Sequence, residues 1–270
     1  MPELPEVETS RRGIEPHIIK TRITKVTIRK RKLRWPISYV IDQSLPGQKV
    51  LSVTRRAKYL LINFKAGSIM LHLGMTGSVS IVENSAPAGI HDHVDIDFDS
   101  GKTLRFRDPR RFGSLHWSKK PMQHKLLKSL GPEPLSHHFD ANYLWKKSRG
   151  RKVSIKQFIM NAQIVVGVGN IYASESLFLA GINPKRAAGK ISHDRYRDLV
   201  DSIKEILIKA IKAGGTTLRD FYKSDGEAGY FIQQLQVYGR DGEHCRLCDS
   251  TIVSIVQGQR STFYCRHCQT

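Results

Sequence analysis

Long apolar runs are missing from this sequence. None approaches the ~20 residues that a membrane-spanning helix needs, so no span is expected. The first ten residues, MPELPEVETS, are acidic and do not lead a basic stretch into an apolar one. No secretory signal is expected from them, and the chain reads as cytoplasmic. Cysteine is absent until the last 26 residues, so disulfides cannot brace the bulk of the fold. Acids are scarce: 24 Asp and Glu stand against 44 Lys and Arg, a net charge of +20. Such an excess attracts polyanions and speeds their capture, which makes nucleic acid the first expected partner and an anionic membrane the second. Internal repeats and low-complexity tracts are also absent.

The 270 residues present suffice for two domains and a sizeable core. The densest basic run is KTRITKVTIRKRKLR, Lys20 to Arg34, with eight basic residues and no acid. Val26, Ile28 and Leu33 look like buried partners of exposed cations, so a polyanion-binding stripe and a solvated face both fit.

Period-two patterns dominate the first half. HVDIDFD puts Val94, Ile96 and Phe98 on one face, DSGK turns, and TLRFR answers with Leu104 and Phe106. KVLSVTRR, YLLINF, SIMLHL and SVSIVE supply further strands, enough for a sandwich or barrel, and PELPEVETSRRGI reads as a helix against it. GPEPLS, residues 131–136, reads as a linker. Helical patterns follow. The clearest is SHDRYRDLVDSIKEILIKAIKAGG, capped by Ser192, ended by Gly214, with a buried stripe from Tyr196 to Ile211. Shorter helices are expected over Ser154 to Asn161 and Asn170 to Ala180. An α+β fold is therefore expected: a β domain over 1–130, the linker, a helical domain over 137–236 and a terminal ribbon over 237–270.

The ribbon rests on CRLC and CRHC, with Cys245, Cys248, Cys265 and Cys268 in the pattern C-x2-C-x16-C-x2-C. Each pair can turn two thiolates onto one ion, and two pairs complete a tetrahedron around one structural Zn²⁺. His267 is left as a bystander, because four thiolates suffice. The ribbon's net charge is small, so any binding role falls to a placed residue. Arg260, at the turn between its two strands, is the candidate.

Other motifs have simple readings taken singly. Pro2 and Glu3 suit a helix start. Lys58 in RRAKYL suits a solvated turn, Met75 and Phe112 suit a core, and GVGN before Asn170 suits a plain turn. Together and in order, PELPEVE, RRAKYL, HLGMTG, DPRRFG, VVGVGNIYASE and the ribbon with QRSTFYC closely resemble the formamidopyrimidine-DNA glycosylase family, from Pro2 to Cys268. The resemblance implies an N-terminal β-sandwich flanked by helices, then a helical domain with a helix-two-turn-helix element and a zinc finger.

It also implies a function: a monomeric, bifunctional glycosylase and abasic-site lyase acting on double-stranded DNA that contains oxidised purines or abasic sites. Pro2, freed by removal of Met1, would attack the sugar as a secondary amine and form a Schiff base. Glu3 would be the general acid, Lys58 a proton donor, and Arg260 would act in the last elimination and bind phosphate. Met75, Arg110 and Phe112 would wedge open the duplex, with Arg110 facing the orphaned cytosine. His91, Arg110, Arg151 and Asn170 would contact DNA, although His93 is as good as His91 on chemistry alone. Residues 216–231 would cap the everted base; the family commonly has Lys where Arg219 stands, so no contact is assigned to it. Arg55 and Arg56 are left as general electrostatics. Two rivals are an endonuclease VIII-like glycosylase for oxidised pyrimidines and a non-catalytic zinc-ribbon DNA-binding protein. PEL at the start and the intact DPRRFG loop favour the purine enzyme.

Overall fold

The computed structural model describes residues 2–215 and 231–270. The expected cap over 216–231 thus lies outside the described residues except for Phe231, and Arg219 lies outside with it. Two compact units divide the chain: Met1–Lys128 with Ala213–Ile232, and Ser129–Lys212 with Gln233–Thr270.

In the first unit, α1 (Leu4–Ile18) leads to β1 (Ile23–Ile28) and a single-turn α2 (Val40–Gln43). Seven strands follow: β2 (Ser52–Arg56), β3 (Tyr59–Phe64), β4 (Gly67–His72), β5 (Ser78–Glu83), β6 (Asp92–Phe98), β7 (Lys102–Arg107) and β8 (Ser114–Ser118). With β1 they form two antiparallel four-stranded sheets, ordered β1-β6-β7-β5 and β2-β3-β4-β8. The expected hairpin is present, with Ile96 opposite Leu104 and Val94 opposite Phe106. Those four side chains share one core with Leu60, Ile62 and Phe64 of β3, Ile69 and Leu71 of β4, and Val7, Ile14 and Ile18 of α1. Each such side chain contributes ~1.5–3 kcal/mol when fully buried. The unit is a β-sandwich with a helix packed onto it.

Two strands were not anticipated. β1 runs through the basic stretch, and a bulge between Ile23 and Lys25 brings Ile23 and Val26, three residues apart, onto the buried side. That bulge breaks the period of two. β8 is five residues long and has Leu115 in the core.

The second unit holds α3 (Ala141–Ser148), α4 (Ile155–Met160), α5 (Asn170–Leu179), α6 (His193–Lys212) and the ribbon strands β9 (Ile252–Gln257) and β10 (Arg260–Cys265). Asp140 caps α3 by accepting from the Tyr143 N–H at 2.7 Å. Ser192 Oγ accepts from the Arg195 N–H at 3.4 Å, and Gly214 leaves α6 with φ +77°. The α6 stripe is buried from Tyr196 to Ala210, while Ile211 is half-buried. Among the described residues no helix is long and apolar enough to cross a membrane.

Candidate active site and zinc ribbon

Pro2 and Glu3 are buried at the head of α1. Glu3 is the N-cap of that helix, Pro5 lies in its first turn, and Glu6 Oε2 accepts from the Glu3 N–H at 2.8 Å. Glu3 therefore does hold the helix start, and its carboxylate stands at the positive end of the α1 dipole. The backbone returns here: a Cβ on Gly215 would lie 3.1 Å from Glu6 Oε1, and the Gly215 carbonyl accepts from the Phe231 N–H at 3.2 Å.

Two loops carry the expected wedge, one after β4 and one before β8. They meet backbone to backbone. A Cβ on Gly74, at φ +73°, would lie 2.5 Å from Gly113 N and Phe112 C. Asp108, fully buried, ties them together: Oδ2 accepts from the Gly113 N–H at 2.7 Å and Oδ1 from the Thr76 hydroxyl at 3.2 Å. Met75 and Phe112 remain 39% and 42% exposed, so neither is a core residue. The Arg110 guanidinium lies over the Phe112 ring at 5.1 Å. Asp108 carried no chemical signal in the sequence; the Pro after it marked a turn and nothing more.

His91 and His93 separate clearly. His93 is buried, with Nε2 2.8 Å from the Asp108 carbonyl oxygen, so it is held as an inward donor. His91 is half-buried and its ring makes no such bond to Asp108; both histidines line a cavity of ≈450 Å³ with Arg29, Lys30, Asp92 and Arg111.

Lys58 is half-buried in the two-residue turn between β2 and β3. Nearby is His72, which the sequence reading passed over. Burial, then the Lys58 and Arg34 cations, push its pKa down to about 4. Its Nδ1 accepts from the Gly74 N–H at 3.0 Å, so the neutral ring carries its proton on Nε2. A neutral donor beside Lys58, on the strand that feeds the Met75 loop, was legible only in three dimensions.

In the second unit, Asn170 opens α5. Its Nδ2 donates to the Ser261 carbonyl at 3.0 Å. Buried Lys156 donates to the same carbonyl at 2.9 Å and to Thr262 Oγ1 at 2.8 Å. Asn170 is thus joined to the strand that begins with Arg260. Gly258 and Gln259, both at positive φ, turn β9 into β10 and leave Arg260 exposed opposite Gln257. Arg151 lies exposed on the loop between α3 and α4, its backbone tied to Ser148 and Gly189. Glu175, buried in α5, accepts from the N–H groups of Gln236, Val237 and Tyr238 at 2.8–2.9 Å and so anchors the approach to the ribbon. Burial pushes its pKa up, against those three bonds.

The four cysteine sulfurs all lie within 4.8 Å of one another, with Cys245–Cys268 at 3.9 Å and Cys248–Cys265 at 3.5 Å. Zn–S bonds of ~2.3 Å in a tetrahedron give edges of about 3.8 Å, so this set fits one Zn²⁺. Burial pushes the Cys265 and Cys268 thiols up; a divalent cation reverses that preference by holding thiolates. The sulfurs share a small core with Phe178, Val237 and Ile252.

Three family models match the chain in order: the formamidopyrimidine-DNA glycosylase N-terminal domain over residues 1–115, the H2TH domain of the same family over 130–222, and the zinc finger found in FPG and IleRS over 242–270. Formamidopyrimidine-DNA glycosylase of Stutzerimonas stutzeri is 56% identical over 269 residues, covering 100% of both chains. The chain belongs to the formamidopyrimidine-DNA glycosylase family. That of Pseudomonas aeruginosa is 55% identical with the same full coverage. Among solved structures, a Lactococcus lactis FPG mutant in complex with Fapy-dG-containing DNA matches with a TM-score of 0.92 at 33% identity, over 100% of both chains. MutM (FPG) from Thermus thermophilus matches with a TM-score of 0.89 at 34% identity, over 99% of this chain and 98% of that one. Family membership makes this chain a DNA-repair glycosylase with a helix-two-turn-helix domain and a structural zinc finger.

Proposed function

We propose that this member of the family removes oxidised purines, 8-oxoguanine and formamidopyrimidines, from double-stranded DNA and then cuts the strand at the abasic sugar. Its target places it in the bacterial cytoplasm, and it acts as a monomer. After Met1 is removed, the Pro2 amine attacks C1′. The bond from C1′ to the base breaks, and the base leaves with the electron pair and a proton. A terminal amine has a reference pKa near ~8, so a useful fraction is nucleophilic at neutral pH. The amine proton is then lost and the C1′–O4′ bond breaks, the ring oxygen leaving as a hydroxyl protonated by Glu3 while the nitrogen lone pair closes onto C1′. The product is an open-chain cationic iminium, which acidifies C2′–H. Loss of that proton expels the 3′ phosphate, and a second elimination expels the 5′ phosphate.

Glu3 protonates the sugar ring oxygen. Lys58 donates a proton near the sugar and phosphate, and Arg260 assists the last elimination. Asn170, Arg151 and His91 hold the DNA backbone. His72, neutral and with its donor on Nε2, suits an anionic oxygen beside Lys58. The zinc supplies no chemistry in this scheme; held by Cys245, Cys248, Cys265 and Cys268, it keeps the ribbon folded around Arg260.

The observation that carries the proposal is the group Met75, Arg110 and Phe112: two large apolar side chains left exposed around a cation, on loops locked together at glycines. A ribbon protein that binds DNA through charge alone has no use for it. Everting a base leaves a gap that such a wedge fills. Duplexes with 8-oxoguanine opposite cytosine, with oxidised thymine, or with a preformed abasic site test the reading. Preferred cleavage of the first, with abasic cleavage, is expected. Preference for oxidised thymine points to the endonuclease VIII-like alternative, and binding without cleavage of any duplex points to a non-catalytic protein.

A further inference from the structure

Arg55 is not a general-purpose cation. Its side chain is only 12% exposed. Its guanidinium bridges two elements: Nε donates to Glu8 Oε2 at 3.2 Å, and Nη1 donates to the Ala57 carbonyl at 2.9 Å. Glu8 belongs to α1, whose head carries Pro2 and Glu3. Ala57 is the residue before Lys58. It is buried and takes φ +54°, a left-handed conformation that L residues other than Gly rarely adopt. A strained turn persists where its surroundings over-determine it, and Arg55 is one such restraint. Glu8 is itself fixed from the other side by Arg11 at 3.0 Å and Arg12 at 3.0 Å.

We propose that Arg55 is a positioning residue for the reaction: it locks the turn that presents Lys58 to the helix that presents Pro2 and Glu3. The inference rests on the roles proposed above for those three residues. A planar fork with two acceptors sets both distance and direction, which a lysine ammonium cannot do.

The test uses the full-length zinc protein, with single-turnover cleavage of 8-oxoguanine duplex, DNA affinity against salt, and thermal unfolding measured together. Arg55→Ala and Arg55→Lys are expected to slow single-turnover cleavage roughly 10- to 100-fold, the usual penalty for a small misplacement of reacting groups. Affinity and its salt slope are expected to stay close to wild type. Arg55→Lys keeps the charge, so it serves where Arg55→Ala fails to fold. Glu8→Ala removes the acceptor of the same bridge together with a negative charge, so it should slow cleavage without weakening binding. In a Lys58→Ala background, Arg55→Ala should add little further loss.

A normal single-turnover rate in Arg55→Lys, with weaker binding and a lower salt slope in Arg55→Ala, would return Arg55 to general electrostatics and overturn the proposal. Additive losses of Arg55 and Lys58 would overturn it too. If Lys58→Ala itself cleaved at the wild-type rate, the assigned role of Lys58 would fail and the proposal with it. If Lys58→Ala were slow and Arg55→Lys normal, only the brace would fail.

Discussion

Gly74→Ala tests whether the two wedge loops really meet at their backbones. Gly74 has φ +73°, and a Cβ there would lie 2.5 Å from Gly113 N and from Phe112 C. The left-handed conformation disfavours an L residue by about 1–2 kcal/mol. The close approach adds more, because the obstructing atoms are backbone and no side chain can swing away; overpacking of this kind adds about 1–3 kcal/mol. Together the loss is about 2–5 kcal/mol, or roughly 5–20 °C in Tm for a domain of this size. Gly101→Ala is the matched control. It has φ +79°, but nothing lies within 4 Å of its added Cβ, so only the conformational part applies, about 1–2 kcal/mol. Denaturant unfolding of both variants, followed in parallel, isolates the clash from the strain. Because the clash moves Met75 and Phe112, Gly74→Ala should also slow excision of 8-oxoguanine more than cleavage of a preformed abasic site. If Gly74→Ala lost no more stability than Gly101→Ala, the loops would not be in contact and the reasoning would fail.

Met75→Ala and Phe112→Ala should slow processing of a lesion in duplex far more than cleavage at a preformed abasic site; equal loss on both, or a collapse in Tm, would make them packing residues. Borohydride should trap the protein on lesion DNA through Pro2, and peptide mapping to Lys58 instead, or trapping with Met1 retained, would contradict the nucleophile. Chelation of zinc, or Cys248→Ser, should abolish specific DNA binding while the β-sandwich stays folded. Arg260→Ala should do much the same with zinc bound, and Arg260→Lys should rescue in part; normal cleavage by zinc-free protein would show the ribbon to be dispensable. The pKa of His72 is depressed from 6.5 to about 4, so below pH 6.5 the unfolded chain takes up a proton that the folded protein refuses. Stability should therefore fall as pH drops from about 6.5 toward 4, by roughly 3 kcal/mol from this group if the shift is complete. Urea titrations between pH 7 and 4.5 should show a flatter slope in His72→Asn; an unchanged slope would show that the ring is not held neutral.

Local pattern was enough for elements whose physics is local. Strict alternation in β6 and β7 needs no distant partner to be read, since the apolar face imposes the period of two. The polar face is buried as well, where Asp95 accepts from Arg105, and only the fold shows that. Local pattern also sufficed for the period of α6 and for the cysteine spacing, because two residues between thiols suffice to turn both onto one ion. Where tertiary structure interrupts the period, legibility ends. The bulge in β1 let eight cations hide a strand. The family resemblance named Pro2, Glu3, Lys58 and the wedge residues as candidates, because chemistry there demands particular side chains in fixed motifs.

Only the folded chain decided what surrounds them. Met75 and Phe112 suited a core in sequence; two glycines, 39 residues apart, lock their loops and leave both exposed. His91 and His93 were equivalent in sequence; a buried carbonyl claims His93, and His91 stays half-buried. Arg55 was one more positive charge in a chain full of them, and Glu8 and Ala57 made it a brace. Each of these distinctions depends on which distant backbone or carboxylate lies within about 3 Å, the range over which hydrogen bonds act. Residue type sets what a side chain can do, and long-range packing sets which partner it finds.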